Sequence, residues 1–376
     1  MRALALGVLV VVSCVNSPSG DAGIGGGEGG STGGGSAGGG SAGGGGGGSE
    51  EQDAGPPANC GGGYGGGGAI TWPGLFQSKI AWNVPEGRVS PRSNAILTAL
   101  QSLGGWGNGD KLQIDFSLAV LSSNSSTSRQ TVAPAPGYCD GGPDCDALPL
   151  QIPIPANGNA EGSPGYACDT TSEACRVLIY DGQTGATLWE LSGFTSSDAG
   201  FTAQSAFVWS MSGPWDLSLR GDQCASADPS GLPIAALLPT TEEVARGQVP
   251  HSLRFVLPAS RLKPGVFVRP ATHAATASAG DPDAPPMGVR LLLKASFDET
   301  PFNPRERVIL STLKSYGMIL SGTGETALSF ADDRLSTEKW SALGINANTF
   351  ESLRVDDFEV VGLCGEIPVS SDCVRR

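Results

Sequence analysis

The chain contains two histidines, His251 and His273, which are the side chains best suited to acid–base chemistry near neutral pH. His251 opens an alternating apolar segment, whereas His273 lies among Ala, Thr and Ser residues. Catalysis would need a carboxylate beside one or both of them, together with an arginine such as Arg254 or Arg290. The alternative is structural, with His251 hydrogen-bonded at the end of a strand and His273 hydrogen-bonded to a loop carbonyl.

A second group of candidate residues lies in residues 176–191, where two segments of strong β-formers flank a Gly-Gln-Thr-Gly turn and predict a hairpin. Tyr180 and Trp189 are suited to contact a sugar ring, and Asp181 and Glu190 are candidates for the carboxylate pair that hydrolyses glycosides. Side chains alternate along a strand, so Trp189 and Glu190 share one cleft only if a bulge intervenes. The alternative places Trp189 in the core and Asp181 at the start of a turn.

The chemistry of these residues favours a protein that acts on polysaccharide as a hydrolase or lyase. In that hypothesis the catalytic candidates are His273, His251, Glu190 and Asp181, and the substrate-binding candidates are Arg254, Arg290, Tyr180 and Trp189. The alternative is a non-catalytic module that binds carbohydrate or protein at the cell surface, since no E-x-D-x-x-E strand of the jelly-roll glucanases is present.

Metal binding receives little support from the sequence. The clustered carboxylates of Asp140, Asp144 and Asp146 could hold calcium, although Asp and Gly are also common turn residues. No C-x-x-C or H-x-x-x-H pair occurs, which argues against a structural zinc site. We therefore expect no cofactor, with calcium as the alternative.

These candidates lie on or beside predicted strands. Residues 253–257, 266–268 and 288–294 read as strands, the last apolar enough to be buried on both faces. Asn303 is the predicted N-cap of a helix that continues through Pro304, has Glu306 as its capping-box partner and ends at Gly317. A strand at 318–320 follows.

The rest of the folded region reads as short strands with few helices. Further strands are predicted at 80–84, 111–121, 176–181, 186–191, 207–211 and 358–363, and further helices at 93–103, 240–246 and 336–343. The pattern predicts a mainly β fold, with a β-sandwich or jelly-roll-like core, a few peripheral helices and disulfide cross-links. Residues 70–376 are expected to form a single β-rich domain.

Three ordered motifs resemble a family of secreted bacterial proteins of uncharacterised function. The motifs are HSLRF at 251–255, PPMGVRLLLK at 285–294 and LKSYGMI at 313–319, which resemble H-A-L-R-F-T, P-P-M-G-L-R-x-R-L-K and L-K-x-Y-G-M-I of that family. The likeness covers roughly residues 80–361. It implies one fold unit and a secreted setting, but it supplies no reaction.

Two segments depart from the family pattern. Where the family has an aromatic-rich S-G-A-P-D segment, this chain has ALSFADDRLSTEKW at 327–340. Where the family has R-H-F-A-S-S, this chain reads ATHAAT at 271–276, so no role for the residues that flank His273 is carried over.

The N-terminus predicts export and a lipid anchor. Residues 1–13 combine Arg2 with a short apolar core, too short to span a bilayer, and read as a signal peptide. Cys14 follows Val-Val-Ser as the acylated cysteine of a bacterial lipoprotein would, and Val15 favours the outer membrane or cell surface over the inner membrane. The alternative is ordinary signal-peptide cleavage beside an incidental cysteine. Residues 14–69 read as the acylated cysteine and a flexible Gly/Ser-rich linker with a reach of roughly 40 Å.

Charge and cysteine content are consistent with a secreted protein. The net charge of −14 makes nucleic acid a poor partner, because phosphate binding needs clustered Lys and Arg. The chain has 9 cysteines, and setting Cys14 aside leaves an even number available for disulfides. Sequence proximity favours the pairs Cys139–Cys145, Cys168–Cys175 and Cys364–Cys373, which leaves Cys60–Cys224.

Overall fold

The computed structural model describes residues 75–139, 142–171 and 174–375. The predicted signal peptide, Cys14, the linker, Cys60 and Asp140 lie outside these ranges. The strands are β1 (Ile114–Leu118), β2 (Val120–Ser123), β3 (Arg129–Pro134), β4 (Leu150–Pro153), β5 (Val177–Asp181), β6 (Thr187–Ser192), β7 (Thr195–Ser197), β8 (Gly200–Ala203), β9 (Ser205–Ser210), β10 (Leu253–Leu257), β11 (Val266–Phe267), β12 (Arg290–Leu293), β13 (Met318–Thr323), β14 (Leu328–Ala331), β15 (Phe358–Val361) and β16 (Ile367–Pro368). The helices are α1 (Ser93–Ser102), α2 (Thr241–Arg246) and α3 (Pro304–Ser315).

Within the described ranges, the strands form three main sheets and one small one. Sheet A has the order β1-β14-β10-β13-β12-β15, sheet B has β2-β5-β6-β9, and sheet C has β4-β3-β8-β7. Strands β11 and β16 make a separate antiparallel pair. Each main sheet mixes the two orientations: β10 runs parallel to β13 in sheet A, β2 to β5 in sheet B, and β3 to β8 in sheet C. The mainly β, sandwich-like prediction with few helices is confirmed.

The sheets are stacked and share apolar side chains between them. One hydrophobic cluster covers the face of sheet A that carries Phe255 and packs it against α1 and α3. A second cluster joins the other face of sheet A to sheet B, through residues such as Ile319 and Trp209. A third lies between sheets B and C, around Trp189 and Val132. The second cluster is therefore the layer in which the back of sheet A meets sheet B.

The predicted strand at 111–121 is in fact two strands in two sheets. Strand β1 pairs with β14 in sheet A, and β2 pairs with β5 in sheet B. The chain passes from one sheet to the other at Ala119, which is itself buried. The apolar pattern of residues 111–121 predicts one strand. It is continuous because the segment is buried first in sheet A and then in sheet B.

The helices with complete local capping signals form where the sequence predicts them. Thr240 and Glu243 make a capping box for α2, and Asn303 and Glu306 make one for α3. Helix α1 lies where it was predicted, although its N-cap Arg92 makes no side-chain cap hydrogen bond. Within the described ranges, no helix is long and apolar enough to cross a membrane.

Two local predictions are wrong. Residues 336–343 form turns, not a helix, because Trp340 is fixed from both sides: its backbone N–H donates to the Asp333 carboxylate (2.8 Å) and its indole N–H to the Ala331 carbonyl (2.7 Å). Residues 80–84 are not a strand but contain the 3-10 helix Ala81–Asn83. Asn83 closes that turn by accepting the Ile80 N–H at 2.9 Å.

Disulfides Cys139–Cys145 and Cys168–Cys175 are present as predicted. The predicted pairs Cys364–Cys373 and Cys60–Cys224 are wrong, because Cys224 is bonded to Cys373 across a sequence separation of 149. Cys364 is also disulfide-bonded. Nearness in sequence identified the small loops but not the long-range link that ties the C-terminal segment to residues 216–224.

Candidate functional site

The candidate residues of the β5–β6 hairpin differ in how deeply they are buried. Asp181 lies at the β5–β6 turn, where it accepts the backbone N–H groups of Gln183 and Thr184 and the Thr184 hydroxyl. The hydrogen bond from the Thr184 hydroxyl is the main cause of the lowered pKa of Asp181. Tyr180 packs at the edge of the second hydrophobic cluster. Trp189 is buried in the third cluster, with the Arg129 guanidinium 5.8 Å from its ring centroid.

Glu190 lies on the opposite face of β6 from Trp189, fully buried between sheets A and B. Its Oε1 accepts the Ala235 N–H at 2.9 Å, but its Oε2 has no hydrogen-bond partner among the described residues. Burial raises the pKa of Glu190 to about 8. The Trp209 indole N–H and the Arg220 Nε are buried in the same layer, also without a partner among the residues described. The raised pKa favours the protonated form of Glu190, and the side chain is not in contact with solvent.

His251 is buried, and both of its ring nitrogens face acceptors. Nδ1 lies 2.9 Å from the Ser252 carbonyl, and Nε2 lies 3.5 Å from the Glu243 carboxylate. Both neighbours are acceptors, which favours the protonated ring because its two nitrogens both carry a hydrogen. Burial alone would lower the pKa of His251, but the Glu243 carboxylate outweighs it and the pKa is raised. A ring that is enclosed and held between two acceptors does not reach a substrate as a general base.

His273 is half-buried in the loop after β11. Its Nδ1 lies 3.0 Å from the Pro229 carbonyl and donates to it. His273 therefore makes the loop-carbonyl contact of the structural alternative. Arg290, on β12, donates to the carbonyls of Ala81 and Val84 and so anchors the 3-10 helix to sheet A.

Arg254 is the predicted site residue that reaches a polar cavity. It lies on β10, facing away from the first hydrophobic cluster, and is buried. Its guanidinium donates to both oxygens of Asp228, at 2.7 and 3.0 Å, and Nη1 donates to the Ser329 hydroxyl at 2.7 Å. Burial would lower the pKa of Arg254, but the Asp228 carboxylate outweighs it and the pKa is raised. Such a bidentate pair fixes the guanidinium in place.

The backbone of β13 makes room for this ion pair. The register runs from Phe255 opposite Leu320 to Val256 opposite Gly322, so Ser321 is an extra residue in a bulge. The Ser321 hydroxyl donates to Asp228 Oδ2 at 2.9 Å. A Cβ on Gly322 would lie 2.8 Å from Arg254 Nη2 and 2.9 Å from Asp228 Oδ1. Glycine at this position therefore lets the strand approach the buried pair.

The cavity beside this pair has a volume of about 220 Å³, and we call it the Arg254 cavity. Its charged and hydroxyl-bearing side chains come from sheet A and from two neighbouring loops. The lining residues are Asp115, Glu161, Arg176, Pro229, Arg254, Val256, Thr323, Gly324, Glu325, Thr326 and Ser329.

The polar side chains of the cavity form an ordered row across sheet A. Asp115 on β1 is in register with Ser329 on β14, and Ser329 is in register with Arg254 on β10. Arg176 Nη1 donates to both Glu161 oxygens, at 3.0 and 3.1 Å, on one side of this row. The site is therefore a rigid sheet surface bordered by a second ion pair.

Of the eight predicted catalytic and substrate-binding residues, Arg254 alone lines this cavity. His273 is linked to it indirectly, because its hydrogen-bond partner Pro229 is a lining residue. The other candidates lie in the hairpin, in the layer between sheets A and B, or against the 3-10 helix. Sequence reasoning missed Asp115, Glu161, Arg176 and Glu325. A charged residue within an apolar strand, as in IDFSL and LRFVL, was the available signal.

Two other places have some features of a binding site. A larger depression of about 320 Å³ lies beside α1 and is lined by Asn94, Ala95, Thr98, Ala99, Ser102, Asp281 and Asp283. It contains none of the predicted residues, and Asp283 is paired with Arg92.

The predicted calcium ligands within the described ranges are engaged by the protein. Asp144 accepts the Ala225 N–H at 2.9 Å, and Asp146 is paired with Arg220 and Arg375. Among the residues described, Asp144 with Cys224 and Cys373 is the one group of three potential metal ligands whose ligand atoms lie within 4.8 Å of one another. Both sulfurs of that group are bonded to each other, so they are not free as thiolate ligands.

No known protein family, curated protein or solved structure matches the chain. Function must therefore be argued from the site itself.

Proposed function

We propose that the protein is an exported bacterial lipoprotein, held at the outer membrane or cell surface through Cys14, whose folded region binds carbohydrate in the Arg254 cavity without catalysis. The observation that carries the proposal is the lining of that cavity. It consists of paired charges and hydroxyl groups on a rigid sheet, with Val256 and Pro229 as its apolar members.

This lining suits a ligand that is rich in hydroxyl groups. Hydrogen bonds to charged groups are the stronger ones, and a buried ion pair keeps its donors and acceptors in fixed directions. The hydroxyls of Thr323, Thr326 and Ser329 add groups that both donate and accept. The volume of about 220 Å³ lies below the roughly 300–1,000 Å³ of drug-sized sites, so the cavity fits one unit of a longer chain.

The distribution of the catalytic candidates supports binding over catalysis. Glycoside hydrolysis needs two carboxyl groups that face the same bond. Asp181 is engaged in a turn, Glu190 is enclosed between sheets, and His251 is enclosed beside the Glu243 carboxylate. None of the three lines the cavity.

One observation favours a second candidate function, in which the protein is a polysaccharide hydrolase or lyase. Asp115 and Glu161 line the same cavity, with Arg176 and Arg254 beside them. A carboxylate pair of this kind is the minimum set for glycoside hydrolysis. In this candidate function the acid and base come from β1 and from the loop before β5, instead of from the hairpin.

A glycan panel distinguishes the two functions. The mature protein is assayed for both binding and product release, as wild type, Glu161→Gln and His273→Ala. Glu338→Gln is the matched control, because Glu338 is exposed and lies outside the cavity. Binding without product release, weakened by Glu161→Gln but not by the control, supports the binding module. Product release that Glu161→Gln abolishes supports the hydrolase or lyase, and no binding or release on any glycan overturns both.

The anchor is tested separately. Labelled palmitate should be incorporated into the wild type and not into Cys14→Ser, and the wild type should fractionate with the outer membrane. An unlabelled wild type found in the cytosol would overturn the lipoprotein proposal but leave the cavity experiment unaffected.

A further inference from the structure

The charges of the Arg254 cavity do not cancel. Each of its two guanidinium groups is matched by one carboxylate: the pairs are Arg254 with Asp228 and Arg176 with Glu161. Two further carboxylates, Asp115 and Glu325, also line the cavity; neither forms a salt bridge within the described residues, although Asp115 contributes to stabilising the charge of Arg254. The cavity and its buried support therefore carry an excess of negative charge.

We infer that the cavity selects a sugar unit that carries a protonated amine, an inference that rests on the carbohydrate-binding function proposed above. An ammonium group would lie against Asp115 and Glu325, while hydroxyls of the same sugar would meet the row formed by Ser329 and Arg254. The two arginines are already neutralised, so they offer little attraction to an acidic sugar. Like charges placed side by side disfavour such a ligand.

The position of Asp115 fits an ammonium donor. Its two oxygens accept the Ser117 N–H at 3.0 Å and the Ser117 hydroxyl at 2.8 Å, which fixes the carboxylate on β1. Each oxygen has a second lone pair, so further hydrogen bonds can be accepted. An ammonium group donates up to three hydrogen bonds in a loose geometry.

A bare divalent cation is a poorer fit to the same carboxylates. Calcium takes about six to eight oxygen ligands that converge at short range. The carboxylate oxygens of Asp115, Glu161 and Glu325 do not all lie within 4.8 Å of one another. Spread carboxylates with hydroxyls between them match an extended amino sugar better than a point charge.

The test compares two ligands that differ in one group. The mature protein is titrated calorimetrically with a tetramer of glucosamine and with a tetramer of N-acetylglucosamine, at a mildly acidic pH at which the free amines are protonated. We expect the free-amine tetramer to bind more tightly by about fivefold, the usual scale of one partly exposed ion pair. Raising the salt concentration should reduce this preference.

Variants locate the preference in the cavity. Asp115→Asn and Glu325→Gln should each remove most of the preference for the free-amine tetramer over the acetylated tetramer. Glu338→Gln removes an exposed carboxylate outside the cavity, and this variant should retain the preference for the free-amine tetramer. Glu325 is exposed, so Glu325→Gln remains informative if Asp115→Asn disturbs folding.

The outcomes separate this inference from the function on which it rests. Equal affinity for the two tetramers, or a loss of preference with Glu338→Gln as well, overturns the amine selectivity and leaves carbohydrate binding intact. Binding of calcium that displaces the amino sugar also overturns it, in favour of a cation site. Failure of both tetramers and of every other glycan to bind overturns the proposed function itself.

Discussion

Two neighbouring residues of β10 show how differently the two faces of sheet A are built. Phe255 points into the first hydrophobic cluster, where its ring lies edge-on to Trp106 at a centroid distance of 6.4 Å. Arg254 points to the opposite face, where it is as deeply enclosed but is paired with Asp228 and Ser329. The first face is closed by α1 and α3. The second is partly closed by sheet B and leaves the Arg254 cavity open.

The two faces of sheet A differ in how much they contribute to the stability of the fold. An apolar face gains stability simply from burial, at about 25 cal/mol per Å². In a buried ion pair, the free energy cost of desolvating the two charges offsets much of their Coulomb attraction. The pair therefore contributes less to stability than well-packed apolar groups would. The charges on this face are therefore the groups to which we assign the proposed binding role.

The largest effect on the free energy of unfolding is expected from removing one partner of the Arg254–Asp228 ion pair. Arg254→Met leaves the Asp228 carboxylate buried without its partner and should lower the free energy of unfolding by about 3–5 kcal/mol. Phe255→Ala, on the apolar face, should cost a similar amount through the cavity it creates, about 3–5 kcal/mol. Denaturant unfolding measures both.

A second substitution distinguishes the two faces. Adding Asp228→Leu to Arg254→Met removes the unpaired charge and should recover most of the loss, whereas adding it to Phe255→Ala should not. A double variant as unstable as Arg254→Met alone would show that the polar face is held by packing and not by charge.

The next effect concerns Glu190, in the layer behind the cavity. Its pKa is about 8 in the folded chain against an ordinary 4.5, so between these values the folded chain holds one more proton than the unfolded chain. The free energy of unfolding therefore falls as the pH rises through this window, by up to about 1.4 kcal/mol per pH unit. Glu190→Gln removes this slope, so the variant should gain in Tm relative to wild type from about pH 5 to pH 8.

Differential scanning fluorimetry at several pH values checks the comparison, with Glu338→Gln as the control. The raised pKa of His251 also makes stability fall as pH rises, but it acts equally in both proteins and cancels in the difference. Parallel profiles for wild type and Glu190→Gln would show that Glu190 is ionised and solvated in the folded protein.

A smaller loss is expected from Ser329→Ala. The Ser329 hydroxyl accepts one guanidinium N–H of Arg254, and its removal leaves that donor facing the cavity, where water can replace the hydroxyl. We expect a cost of about 1 kcal/mol in unfolding free energy and weaker glycan binding. Stability unchanged together with unchanged affinity would exclude this contact from both roles.

The smallest change in stability is expected from Asp115→Asn. Asparagine keeps the shape of the side chain and can still accept the Ser117 N–H, so the free energy of unfolding should change by no more than about 0.5 kcal/mol. Amine selectivity should fall all the same. A large destabilisation without a change in selectivity would place Asp115 among the structural residues.

The sequence predicts the parts of this fold that are specified locally. The capping boxes of Thr240 with Glu243 and of Asn303 with Glu306 each depend on residues three apart, and both helices form. Ser336 offers only the N-cap half of such a signal, and the contacts of Trp340 with Asp333 and Ala331 determine the turn instead.

The candidate site was not predictable in the same way. Asp115, Glu161, Arg176, Arg254 and Glu325 come from four segments that meet only through sheet order and loop placement. The Cys224–Cys373 disulfide is non-local for the same reason. A single sequence shows the alternation of side chains along each strand, but it does not show which strands are neighbours in the sheet. The partner of Arg254 could therefore not be identified from LRFVL alone.

The most direct test of ligand binding in the Arg254 cavity is a crystal structure of the mature protein soaked with a glucosamine tetramer. We predict density for one sugar unit in the cavity, with its amine against Asp115 and Glu325 and a hydroxyl at Ser329. Density for the tetramer on another surface, with the cavity holding only water, would contradict the proposal.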